Sequence, residues 1–142
     1  MASKGQQTGM RAVFLVAAEL VDRDFIVSLT SRNGFGADLL VTNEACTRAY
    51  SVQVKANRRS RSFWLLGEKT KGLASRSHVY VFVNLDASGK HEYYVVPSRE
   101  VTRRMRTTRR KTGSIWYSFY EQDAHKYRDA WHLFRRAGRT AG

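Results

Sequence analysis

Asp38, Gln53 and Lys55 are the residues of this chain whose types and spacing can do chemistry together. Gln53 and Lys55 stand two apart in the run AYSVQVKA, residues 49–56. In a strand, residues two apart point to one face, so Val52, Val54 and Ala56 take the other. Asp38 opens an earlier apolar run, residues 38–42, and a polar turn over residues 43–48 lets the two runs pair as a hairpin. Pairing brings Asp38 near Gln53 and Lys55. A carboxylate, an amide oxygen and an ammonium at one sheet edge can hold a divalent cation beside a phosphate. The same residues admit a plainer reading. Asp38 and Lys55 would then be a structural ion pair, and Gln53 and Lys55 a solvent-facing strand edge.

The charge balance favours an anionic partner. Lys and Arg number 25 against 12 Asp and Glu, a formal net charge of +13. Such a surplus draws DNA, RNA or an anionic membrane surface. Arg58, Arg59 and Arg61 follow Lys55 directly and read as a phosphate clamp beside the candidate site, or as a solvated loop. Arg103, Arg104, Arg106, Arg109, Arg110 and Lys111 lie within nine residues and read as a second backbone-contacting patch, or as an exposed basic helix end. Other chemistries find little support. Cys46 is alone, which excludes an internal disulfide and a cysteine zinc cluster. It has no recognisable dyad partner for nucleophilic catalysis. His125 and His132 are seven apart without a ligand at zinc spacing and read as surface or packing residues. The glycines form neither a P-loop nor a dinucleotide fingerprint.

The elements that position these residues follow from periodicity. A helix over 8–23 carries Met10, Val13, Phe14, Ala17, Ala18 and Val21 on one apolar face, with Thr8 as N-cap. Leu15, Val16 and Leu20 lie off that face, and Glu19 nearly opposite it. Strands follow over 25–30, 38–42 and 49–56. FWLL at 63–66 is apolar without a clear period, and 68–77 reads as loop or a frayed turn. HVYVFVNLD at 78–86 has little polar alternation and reads as a central strand buried on both faces, with EYYVV at 92–96 as its hairpin partner. Ser98 caps a helix carrying Val101 and Met105, residues 115–120 are aromatic and extended, and 123–136 reads as a last helix with Tyr127, Ala130, Trp131 and Phe134 on its apolar face.

This order predicts an α+β fold, one layer of sheet with helices against it. With 42% hydrophobic and 26% charged residues, the chain reads as a single domain over 1–142, with 1–8 and 138–142 as flexible tails. No apolar run approaches the ~20 residues needed to cross a bilayer. MASKGQQTGM lacks the apolar centre of a signal peptide. The expected setting is cytoplasmic, without a membrane partner.

GADLLV followed by YSVQVKA resembles the PD-(D/E)XK nuclease superfamily, and most closely its small restriction-endonuclease-like and Holliday-junction-resolvase-like members. The similarity covers about residues 8–98, with FVNLD, YYVVPSREV and KYRDAWHLF also in that style. The resemblance implies a mixed central sheet built on an N-terminal helix and a three-stranded meander. It implies that Asp38 and Gln53 hold Mg²⁺ or Mn²⁺, that the main-chain carbonyl of Val54 is a further ligand, and that Lys55 steadies the attacking water or the phosphate. The implied activity is hydrolysis of DNA phosphodiester bonds, with a homodimer cutting both strands. The pattern departs at two places. Gln53 is a neutral amide where a carboxylate is usual, and Val13 stands where related enzymes carry a glutamate on the first helix. A domain of this fold that grips nucleic acid through its basic loops without cutting it is the alternative.

Overall fold

The computed structural model of the chain describes residues 3–31, 36–59 and 61–135. Helix α1 (Lys4–Asp22) precedes an antiparallel meander of β1 (Ile26–Leu29), β2 (Leu39–Thr42) and β3 (Ala49–Asn57). Next come β4 (Phe63–Leu66) and a 3₁₀ turn (Glu68–Gly72). They lead to β5 (His78–Asn84), which runs parallel to β3, and to its antiparallel neighbour β6 (Glu92–Pro97). Helix α2 (Ser98–Arg104), the hairpin of β7 (Arg106–Arg109) and β8 (Ile115–Tyr120), and a short α3 (Glu121–Ala124) follow. Two 3₁₀ turns, His125–Tyr127 and Trp131–Leu133, end the described chain. The mixed central sheet runs β1-β2-β3-β5-β6, and a second, antiparallel sheet runs β4-β8-β7.

β5 is buried along its whole length because a layer covers each of its faces. Val79, Val81 and Val83 meet Ala12, Val16 and Leu20 of α1 on one side. Tyr80 and Phe82 meet Trp64, Phe119 and Val101 on the other. The indole N–H of Trp64 donates to the Val83 carbonyl at 3.1 Å, so the buried ring keeps its polar atom satisfied. The predicted α+β class and mixed sheet are therefore observed, but the single layer is not. FWLL and IWYSFY pair with each other as β4 and β8, at a sequence distance no local pattern encodes.

Three helix expectations are corrected. α1 begins at Lys4 with Ser3 as its N-cap: Ser3 Oγ accepts the Gln6 N–H, and Gln6 Oε1 accepts the Ser3 N–H. Thr8 is inside the helix, its hydroxyl donating to the Lys4 carbonyl, so residues 4–8 are helical rather than a tail. The buried face of α1 holds Ala12, Val13, Val16 and Leu20, while Met10, Phe14 and Val21 are 48%, 53% and 58% exposed. The helix carries two apolar stripes, and the one with small residues at positions 12 and 16 lies against β3. Finally, 123–136 is not one helix. Asp129 has φ +51 and its N–H donates to the Tyr93 carbonyl, which breaks the helix after Tyr127. Ala130, Trp131 and Phe134 are nevertheless buried, as their spacing suggested. Residue 136 and the expected tail at 138–142 lie outside the described residues.

Candidate active site

Asp38 sits one residue before β2. Its N–H donates to the Val52 carbonyl at 2.7 Å, although Leu39 is the register partner of Val52. Two residues thus meet one, as in a β-bulge, which re-aims the first side chain. The re-aimed carboxylate takes the place a continuing β2 would fill. Its Oδ2 accepts the main-chain N–H of Val54 at 2.7 Å and the Gln53 Nε2 at 3.3 Å. Gly36, two residues earlier, has φ +73, and a Cβ there would stand 2.6 Å from Leu73 Cδ1. Only glycine lets the chain pass that close.

Gln53 and Lys55 share one face of β3, beside Tyr80 and Phe82 of β5 in register. That face is opposite the one on which Val52 and Val54 meet α1. Burial pushes the Asp38 carboxyl above its ordinary pKa, while the Val54 N–H and the Lys55 charge pull it back down. Burial pushes the Lys55 ammonium below its ordinary pKa, and the Asp38 charge partly restores it. The two charges act on each other without an ion pair within 4 Å. A pocket of about 370 Å³ opens here, lined by Gln53, Lys55, Tyr80, Thr70 and Glu68 among others. The Tyr80 hydroxyl is hydrogen-bonded to Thr70, and burial raises its pKa.

Among the described residues, no three His, Cys, Asp or Glu side chains gather at one point. A cation at Asp38 would therefore rest on one carboxylate and on neutral oxygens. α1 adds no acid: Val13 is in the core, and Glu19 is paired with Arg23 at 2.6 Å. Glu68 is the residue the sequence reading passed over. It stands in a polar connector, and no spacing ties position 68 to position 53.

The basic clusters lie apart from this pocket. Arg58 and Arg59, beyond the end of β3, line two other pockets near Asp86, one of which also takes in Lys4 and Arg11 of α1. Arg61 is exposed. Arg103 and Arg104 both bind the carboxylate of Glu100, at 2.9 and 2.6 Å. Arg106 lies over the Tyr120 ring at 3.8 Å, and Arg110 over Trp116 at 4.4 Å. Arg109 and Lys111 are exposed on the β7–β8 hairpin. The run read as a backbone-contacting patch or an exposed helix end thus forms the last turn of α2, an edge strand and a turn.

No protein-family model matches the chain, and no curated protein does. Among solved structures, a bacterial homing endonuclease, I-Ssp6803I, superposes with a TM-score of 0.59 at 20% identity, over 94% of this chain and 91% of that one. The Holliday junction resolvase Hjc of Archaeoglobus fulgidus superposes with a TM-score of 0.60 at 12% identity, over 92% and 98%. The chain has a restriction-endonuclease-like fold.

Proposed function

We propose that the chain is a nuclease-fold domain that hydrolyses DNA phosphodiester bonds with a divalent cation, Mg²⁺ or Mn²⁺, at Asp38. The observation that carries this reading is geometric: Asp38 Oδ2 accepts the Val54 N–H and the Gln53 side-chain amide, on the strand whose one face carries both Gln53 and Lys55. Two half-buried charges, each held against its own desolvation, are costly for a structural role alone. The donor set suits a hard cation, because the Asp38 carboxylate, the Gln53 amide oxygen and the Val54 carbonyl are all oxygens. Gln53 presents its Nε2 to Asp38, so the amide turns over to become a ligand. Lys55, with a lowered pKa, donates to a phosphate oxygen or holds the attacking water. When bound, the ion supplies Lewis-acid polarisation of the phosphate and a more acidic water. Glu68 lines the same pocket as Gln53 and Lys55.

A specific observation favours a second reading, nucleic-acid binding without cleavage. Among the described residues no cluster of acids joins Asp38, and its Oδ2 is already engaged by Val54 and Gln53. Incubation with supercoiled, linear and branched DNA in Mg²⁺ or Mn²⁺ separates the two. Cleavage that disappears in both Asp38→Ala and Lys55→Ala supports the enzyme. Salt-sensitive binding without cleavage supports the binder, and absence of binding at low salt removes both.

The reading takes residues 1–142 as one domain acting in the cytoplasm on nucleic acid. Arg58, Arg59, Arg61 and the β7–β8 arginines would hold flanking backbone. A second copy of the chain, docked on the exposed stripe of Met10, Phe14 and Val21, would supply a second site. No helix among the described residues is long and apolar enough to cross a membrane.

A further inference from the structure

A pocket of about 640 Å³ opens at the other end of β3 and β5. Four arginines from four separate segments converge on it: Arg48 before β3, Arg76 before β5, Arg99 in α2, and Arg135 after the last 3₁₀ turn. No acidic residue lines it. Among the described residues, none of the four has a carboxylate within 4 Å. Elsewhere some arginines do find such partners, as Arg103 and Arg104 do on Glu100. Unpaired guanidiniums crowded without a counter-charge repel one another, and an anion relieves this.

The back wall supplies a second feature. His78 is 6% exposed, its Nδ1 is 2.7 Å from Ser51 Oγ, and its buried Nε2 has no hydrogen-bond partner. Burial holds the ring below its ordinary pKa, so it is neutral at pH 7. When Ser51 Oγ–H donates to Nδ1, Nε2 carries the ring proton and is a donor without an acceptor. Buried donors rarely remain so, because the lost bond costs as much as the bond is worth.

We propose that this pocket is a binding subsite for a phosphate group, separate from the pocket lined by Gln53 and Lys55. Guanidinium forks match phosphate oxygens in pairs and stay charged at every relevant pH. Ala49 on its wall is four residues from Gln53 on β3, roughly 13 Å at ~3.3 Å per residue. A nucleic-acid strand seated at Gln53 and Lys55 therefore reaches this pocket within a few nucleotides. The phosphate is either a backbone diester or a terminal monoester. The inference does not require that the chain cleave anything.

The test begins with calorimetric titration of inorganic phosphate into the full chain. Arg76→Ala/Arg99→Ala is expected to weaken binding about tenfold or more. Lys71→Ala/Lys90→Ala, which removes equal charge from two turns outside this pocket, is expected to leave it near that of the unaltered chain. Both pairs are exposed, and matched melting temperatures check that each variant is folded. No phosphate binding by the unaltered chain overturns the proposal, and so does equal weakening by both double variants. A short duplex with a 5′-phosphate or a 5′-hydroxyl then identifies the source. A preference for the phosphorylated end, lost in Arg76→Ala/Arg99→Ala, assigns a terminal monoester. Equal binding of both, weakened equally, assigns the backbone. Unchanged binding of both duplexes by that variant overturns the proposal. Phosphate binding retained in a chain that never cleaves DNA removes the proposed nuclease activity and leaves this subsite standing.

Discussion

The carboxylate of Asp38 accepts the main-chain N–H of Val54 at 2.7 Å, across the end of the β2–β3 ladder. One bond thereby ties the acid to the strand that carries both Gln53 and Lys55. It also holds the acid where burial opposes its charge. Its charge is therefore a cost to the fold.

Asp38→Asn is therefore expected to stabilise the protein. The amide oxygen keeps the Val54 bond and carries no charge to desolvate. The gain is about 1 kcal/mol at pH 7. Because the folded pKa of Asp38 is raised above 3.8, its penalty is absent below that pH and appears as pH rises through the folded value. The stabilisation should accordingly vanish in acid. Thermal melts of both forms at pH 3 and pH 7 read this directly, and a lower melting temperature for Asp38→Asn at pH 7 would refute it. The same variant should lose cleavage.

Gln53→Glu restores a second carboxylate beside Asp38. Mn²⁺ affinity should rise about tenfold by calorimetry, since hard cations favour charged oxygen ligands. Without metal the two carboxylates repel and the melting temperature should fall. Added Mn²⁺ should then raise it more than in the unaltered chain, by linkage.

His78 makes stability depend on pH. Burial lowers its folded pKa below 6.5, so below 6.5 the unfolded chain binds a proton that the folded one refuses. Stability is full above 6.5 and falls as pH drops from there toward the folded value, by at most about 1.4 kcal/mol per pH unit. His78→Asn keeps a partner for Ser51 Oγ without titrating there and should flatten this slope in urea unfolding between pH 5 and pH 7.5.

The two stripes of α1 should respond differently. Leu20→Ala in the buried stripe costs about 2–5 kcal/mol. Phe14→Asp in the exposed stripe should leave the fold of one chain intact but lower the solution mass to that of a monomer, if the second copy docks there. Light scattering measures this, and a dimer that persists in Phe14→Asp places the contact elsewhere.

Much of the fold was legible in the chain. FVNLD and its neighbours predict a strand buried on both faces because alternation is missing, and β5 is that strand. AYSVQVKA alternates because α1 covers only the valine side, and the alternation alone puts Gln53 and Lys55 together. The helix stripe misled because α1 has two apolar faces, and local periodicity cannot say which one meets the sheet. Asp129 ended the last helix through a bond to Tyr93, a partner 36 positions away in sequence.

Residue order by itself determined the strand alternation, the basic surplus and the placing of Gln53 and Lys55 on one strand face. These depend on backbone period and charge, which need no partner. Tertiary structure decided that Asp38 reaches Val54, that Glu68 lines one pocket with Lys55, and that Arg48, Arg76, Arg99 and Arg135 surround another. Those neighbours are distant in sequence, and only the closing of the parallel β3–β5 pair and the packing around it bring them within range.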